Sequence, residues 1–364
     1  MKTIAIAGTF DTKGTEYLYV KELIEGLGLC TFTIHTGVFE PAFEPDVSNN
    51  EVAKAAGSDI ETLVSKKDRA LATEVLSKGM EKLLPELYKQ GKFDGIISFG
   101  GTGGTSLVTP AMRALPIGVP KVMVSTVASG NTEPYVGTSD IIMMPSVVDV
   151  AGLNSISTRI FTNAVFAIAG MLKFENTKVV EKKPLVAATM FGVTTPCITA
   201  AREYLEKRGY EVLVFHATGV GGRSMEALIH GGFIEGVLDL TTTEWADEVI
   251  GGVLNAGPHR LEAAGKNQIP QVVSVGAIDM CNFGPYETVP EKFITRNLYK
   301  HNPSVTLMRT NKPFYGPEED EVLFNILKNG VNRNVVEVVE MNCAINEVEF
   351  AEAAAQKLID MMKK

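Results

Sequence analysis

Cysteines are few and far apart in this chain of 364 residues: Cys30, Cys197, Cys281 and Cys343 share no paired spacing. That argues against a disulfide frame or a zinc site and fits free thiols in a reducing cytoplasm. Basic clusters are missing too. Lys66, Lys67 and Arg69 stand together with Asp68 among them, which reads as a solvated face, and no Lys/Arg run carries interleaved aromatics. At a net charge of −9 the chain repels phosphate polymers and anionic lipid, so nucleic acid and membrane are not expected partners. Long apolar runs are absent. The most apolar helical stretch, Ala164 to Leu172, spans about half a membrane and reads as a buried helix. The opening Met1 to Gly8 is too short for a signal peptide and runs straight into a turn. There is no Walker A loop, since Gly14 follows Lys13 rather than preceding it, and no G-x-S-x-G elbow. His35, His230 and His301 have no metal-ligand partners at recognisable spacing.

What is present is globular: 45% hydrophobic and 21% charged residues, with 34 glycines, many directly after short apolar runs. The length calls for two domains. Strand and helix patterns alternate. Lys2–Ala7, Leu29–His35, Phe93–Phe99, Val119–Ser125 and Ile141–Met144 read as strands. Thr15–Leu27, Lys67–Tyr88 (with a break or a new start at Pro85) and a long Asp149–Phe174 read as helices. A charged stretch from Glu175 to Pro184 marks a boundary, dividing the chain into 1–180 and 181–364. The second half repeats the plan with strands Leu185–Met190, Glu211–His216, Gly236–Leu240, Gln271–Gly276 and Ser304–Met308. Its helices start at Thr195, Ser224 and Thr243, and a last amphipathic helix spans Glu347–Met362. Strands separated by helices make parallel sheets. The expected fold is therefore α/β: two Rossmann-like, doubly wound lobes with a ligand cleft between them.

Ligands of such sheets sit beyond the carboxyl ends of the strands, and the polar loops fall there. Thr9, Phe10, Asp11, Thr12 and Lys13 follow the first strand. Backbone N–H groups at a helix start suit an anion, Lys13 adds charge, and Asp11 suits a metal or a ribose hydroxyl. Gly100, Gly101, Thr102, Gly103, Gly104 and Thr105 follow a buried strand, and so many glycines are costly unless the main chain curls around something. Pro110 leaves the next helix start open, at Thr105 or Thr109. Thr126 and Ser129 follow another strand. In the second half Thr218, Gly221, Gly222, Arg223 and Thr241 are candidates for a small substrate. His216, Glu244 and Asp279 are candidate catalytic groups, with His259 and Arg260 behind them.

Over GTFDTKGTE (8–16), FGGTGGTS (99–106), the run 125–164, FHATGVGGRSMEALI (215–229), GVLDLTTTE (236–244) and AIDMCNFG (277–284), the chain resembles a known family. It is that of the ATP-binding domain of the plant tobamovirus-resistance protein and its uncharacterised bacterial relatives. The resemblance covers essentially the whole chain. It implies Rossmann-like subdomains, ATP on the glycine-rich positions, and a homodimer or higher homo-oligomer. The plant protein's further barrel domain has no counterpart here, and its action on a viral protein does not transfer. Three readings follow. One is an enzyme using ATP with Mg²⁺ for phosphoryl or adenylyl transfer to a small metabolite. Another is a nucleotide-responsive regulatory protein without turnover. The third is a lyase or isomerase using the same anion sites.

Overall fold

The computed structural model describes residues 1–174, 182–301, 303–309 and 315–363. The chain divides into two compact units, Met1–Val179 and Val180–Lys364. The charged stretch Glu175 to Pro184 lies mostly outside the described residues.

Unit 1 runs β1 (Thr3–Gly8), α1 (Gly14–Gly26), β2 (Cys30–His35), α2 (Asn49–Ala55), α3 (Ile60–Lys66), α4 (Arg69–Lys89), β3 (Gly95–Gly100), α5 (Thr102–Ala114), β4 (Lys121–Ser125), α6 (Glu133–Val136), β5 (Ile142–Pro145) and α7 (Ser155–Lys173). The sheet is parallel throughout, in the order β2-β1-β3-β4-β5. Its strands are short apolar runs buried on both faces, as a doubly covered parallel sheet requires. Ile4, Ile6, Ile97 and Phe99 face α1 and α7, while Ala5, Ala7 and Ile96 face α2 to α5.

Unit 2 repeats the pattern. It runs β6 (Leu185–Met190), α8 (Thr195–Glu206), β7 (Glu211–His216), α9 (Val220–His230), β8 (Gly236–Thr241), α10 (Thr243–Ile250), α11 (Glu262–Lys266) and β9 (Gln271–Gly276). There follow β10 (Cys281–Phe283), β11 (Leu298–His301), β12 (Ser304–Leu307), α12 (Pro317–Gly330) and α13 (Val348–Met362). Its parallel sheet has the order β7-β6-β8-β9. α8 and α13 cover one face and α9 and α11 the other. Both units are thus doubly wound α/β sheets whose strand order reverses beside the first strand.

Several local expectations are corrected. Pro85 sits inside an unbroken α4, because Leu84 and Leu87 on either side of it are buried against the sheet and hold the turn together. α7 starts at Ser155, not Asp149: Asn154 caps it, accepting from the N–H groups of Ile156 and Ser157, while the Ser157 hydroxyl accepts from the Asn154 N–H. The strand at Ser304 belongs to no parallel sheet. It is the middle of an antiparallel sheet, β10-β12-β11. The helices α2, α3 and α12 stand in addition to those expected from the sequence.

Candidate functional site

In each unit the strand order reverses beside its first strand, and there the following loops diverge to opposite faces, leaving a crevice at the strand ends. In unit 1 the loops are those after β1 and β3.

The loop after β1 is mostly occupied with its own structure. Phe10 is fully buried, stacked on Phe43 and His35 and edge-on to Tyr17. Its N–H donates to His35 Nδ1 at 3.1 Å, so it offers a ligand neither ring nor amide. With Nδ1 accepting, Nε2 carries the proton and donates to the Phe39 carbonyl at 2.9 Å. The Asp11 carboxylate accepts from the N–H groups of Thr12 (2.8 Å) and Phe39 (3.1 Å) and packs on Gly37, where a Cβ would come within 2.2 Å of it. The Lys13 ammonium donates to the Val150 carbonyl, and Glu16 accepts from Gly152 N–H at 2.6 Å. Together they strap the segment before α7 onto the start of α1, whose Gly14 is buried under Ala42. The roles expected for Phe10, Asp11 and Lys13 are therefore corrected: their polar groups brace the crevice wall. Thr9 and Thr12 remain at its rim, their hydroxyls 3.0 Å apart.

The loop after β3 is open. Gly101 precedes α5, and Gly103 and Gly104 are its first turn, so the helix starts earlier than either Thr105 or Thr109. No side chain caps it, which leaves the N–H groups of its first turn facing outward with the positive end of the helix dipole. Gly100 is glycine for space, since a Cβ there would press on the Gly104 backbone at 3.2 Å. Thr105 is buried and faces inward, its hydroxyl bonded to the Gly101 carbonyl (2.9 Å) and Ser125 Oγ (2.6 Å); it anchors the turn and does not line the crevice. Thr126 and Ser129 are exposed, and Thr126 Oγ1 lies 3.6 Å from where a Gly101 Cβ would sit.

One contributor escapes sequence reading. A Cβ on Gly103 would lie 3.5 Å from a terminal nitrogen of Arg69, the first residue of α4. α4 packs along α5 and brings this exposed guanidinium over the open helix end. Among the described residues its guanidinium has no hydrogen-bond or ion-pair partner.

Unit 2 treats its glycines differently. Gly221, Gly222 and Arg223 belong to the first turn of α9, not to a loop. The anion at that helix end is the protein's own: Glu244 accepts from Gly219 N–H (2.6 Å) and Gly222 N–H (3.0 Å). Gly222 must be glycine because a Cβ would come 2.2 Å from Glu244 Oε2, and Gly221 because one would come 1.9 Å from the His216 carbonyl. Arg260, buried at 1% side-chain exposure, holds Glu244 (Nε to Oε2, 2.7 Å), Asp239 (2.5 and 2.8 Å) and Glu226 (3.3 Å). Burial pushes the Glu244 carboxyl above its ordinary range, with Arg260 opposing. The expectations for Gly221, Gly222 and Glu244 are thus corrected. They form a closed internal ion cluster with neither an anion site nor a free base. Thr241 is buried, its hydroxyl 2.8 Å from Thr194 Oγ1. Thr218 Oγ1 donates to the His216 carbonyl at 3.3 Å, and Arg223 to the Asn255 carbonyl at 3.4 Å. Asp279 lies 3.8 Å from Arg309, its carboxyl raised by burial. His216 is exposed, its ring 5.5 Å from that of Phe191. The described residues contain no group of three or more His, Cys, Asp or Glu side chains placed to hold a metal ion, and all four cysteines are free thiols.

The N-terminal domain of an uncharacterised protein family, UPF0261, matches residues 2–177, and its C-terminal domain matches 183–313 and 311–362. The chain belongs to the UPF0261 family. A UPF0261 protein of Clostridium tetani is 53% identical across the whole of both chains. One from Rhizobium meliloti is 41% identical across 99% of each. The ToMV resistance protein Tm-1(GCR237) of Solanum lycopersicum is 52% identical over 68% of this chain and 34% of its own length. Among solved structures, the UDP-GlcNAc 2-epimerase of Methanocaldococcus jannaschii is 10% identical over 90% of this chain and 99% of its own, at a TM-score of 0.25. The UDP-N-acetylglucosamine 2-epimerase of Rickettsia bellii is 11% identical over 74% and 78%, at 0.23.

Proposed function

We propose that this UPF0261 protein binds a nucleotide, ATP with Mg²⁺, in the crevice of unit 1. The observation that carries this is the uncapped start of α5 with the Arg69 guanidinium over it. Outward N–H groups and a partnerless cation suit a polyphosphate, and such a helix end is a ready anion site. Thr9, Thr12, Thr126 and Ser129 would supply hydroxyls around it. The phosphates and water would hold Mg²⁺, which keeps most of its waters in such sites.

The geometry favours binding without turnover. Glu244 is locked in an ion cluster, Asp279 faces Arg309, and His216 stands against an aromatic ring with no carboxylate partner among the described residues. Transfer to a small metabolite is the second reading. It rests on the exposed His216 as its base. The four free thiols suit the reducing cytoplasm.

Calorimetric titration with ATP and Mg²⁺ tests the proposal, followed by chromatography of the nucleotide. Arg69→Ala is expected to weaken ATP by about 10–100-fold, the loss of one charge-assisted contact of about 1.5–3 kcal/mol. Equal affinity in the variant would remove Arg69 from the site, and no heat with the wild type would end the nucleotide reading. ADP, AMP or pyrophosphate appearing over time would favour the enzyme, and His216→Asn should then abolish turnover while sparing binding.

A further inference from the structure

Val147, two residues past β5, is unfavourable where it stands in two ways. Its backbone has a φ of +65°, and of the five non-glycine residues with positive φ among the described residues it is the β-branched one. For a β-branched residue that region is a genuine outlier. Its isopropyl group is also 74% exposed. The turn is tight: the Val148 N–H donates to the Ser146 carbonyl at 2.7 Å, across Val147. A three-residue turn with positive φ is rare and strained. Glycine would hold the same shape without strain and without an apolar group in water. Folding alone gives no reason for valine here, and strain of this kind persists where the surroundings fix it for a function.

Both flanks of the turn are fixed. Ser146 is buried; its N–H donates to the Ser125 carbonyl at 3.1 Å and its hydroxyl to the Val148 carbonyl at 2.6 Å. Val150 is fully buried, and its carbonyl accepts from Lys13. The turn stands at the carboxyl end of the unit 1 sheet. Gly100, Ser125 and Pro145 form one row across β3, β4 and β5. Just beyond that row come the start of α5, Thr126 and the Val147 turn, side by side. Two strand spacings, about 10 Å, separate the Val147 turn from the start of α5. That is the reach of a nucleotide from its phosphates to its base, and the exposed Thr126 stands between them, where a ribose would lie.

We propose that Val147 is the apolar wall against which the base of the nucleotide lies, with the phosphates at the start of α5. This rests on the nucleotide reading of that crevice. The face of a heteroaromatic base gains by leaving water against an isopropyl group. Phosphate chain and base are then held by different residues, Arg69 and the α5 N–H groups for the one and Val147 for the other. The site therefore takes a nucleoside triphosphate in preference to a bare polyphosphate.

Calorimetric titration of the full chain with ATP and, separately, with inorganic tripolyphosphate tests it, both with Mg²⁺. The wild type is expected to bind ATP more tightly than tripolyphosphate. Val147→Gly is expected to weaken ATP about tenfold, the loss of one partly buried valine contact. It is expected to leave tripolyphosphate unchanged and the thermal midpoint no lower than that of the wild type. Arg69→Ala, by contrast, is expected to weaken both ligands. Unchanged ATP affinity in Val147→Gly overturns the proposal, as does an equal loss of tripolyphosphate, which would assign the residue to the shape of the loop. A lowered midpoint overturns it too, since the isopropyl group would then pack within the fold. Tripolyphosphate binding as tightly as ATP to the wild type would leave the base without a wall. No heat with either ligand would end the nucleotide reading itself, and this inference with it.

Discussion

Arg260 holds three carboxylates in the interior of unit 2, and its removal would strand all of them. Leaving a buried ion pair without one partner costs about 3–5 kcal/mol. Arg260→Met is expected to lower the stability in urea by at least that amount, while a drop below about 1 kcal/mol would show that water reaches the cluster. Asp247 is a different case. It is fully buried and, among the described residues, its carboxylate accepts only from neutral donors: Leu254 N–H at 3.0 Å, and Asn282 N–H and Nδ2 at 3.2 Å. Burial holds its carboxyl above the ordinary range, and nearby Glu244 adds to the rise. The folded state therefore grips that proton harder than the unfolded chain does. Its contribution to stability is full below the ordinary aspartate range and is lost as pH rises through the raised value. Denaturant midpoints of wild type and Asp247→Asn are expected to shift in the variant's favour as pH rises from about 4. Parallel pH profiles would mean that Asp247 titrates as an ordinary carboxylate. Residues of this kind were the least legible in the sequence. Glu244 looked like a free acid at a strand end, because nothing in GVLDLTTTE tells that α9 starts three ångströms away. Arg69 looked like one charge on a solvated face, because only the packing of α4 along α5 brings it to Gly103.

At the level of elements the reading was easier. Apolar strand runs, glycine stops and the return of the same order pointed to two parallel sheets, since a parallel neighbour demands a crossover, and only the strand at Ser304 was put in the wrong sheet. The boundaries failed where a local signal competes with packing. Pro85 is a breaker by propensity, yet the flanking leucines keep α4 whole. Asn154 and Ser157 cap α7, yet the apolar residues just before them extend the helical pattern backward. Gly79 shows how close two elements come. A Cβ there would lie 2.0 Å from the Val52 carbonyl of α2, so α2 and α4 touch backbone to backbone. Gly79→Ala would raise helix propensity by up to about 1 kcal/mol, and the overpacking is expected to cost more, about 1–3 kcal/mol. A variant more stable than wild type in thermal denaturation would show that α2 moves aside freely.

For the molecule as a whole, the cores are separate. The apolar clusters of unit 1 draw on residues up to Leu172, and those of unit 2 begin at Leu185. Arg260→Met is therefore expected to speed hydrogen exchange within 182–363 and to leave the sheet of unit 1 protected. Loss of protection in both would show one cooperative unit. The two sheets share a strand order and a crevice at the reversal, but they handle negative charge in opposite ways. At α5 the helix end is open to solvent. At α9 the chain has supplied the anion itself, and Glu244 is tethered there by the peptide bond. Dialysis strips a phosphate from an open helix end and cannot strip a side chain. Exhaustive exchange into phosphate-free buffer leaves α9 as satisfied as before, and of these two helix starts an anion in the medium competes only for that of α5.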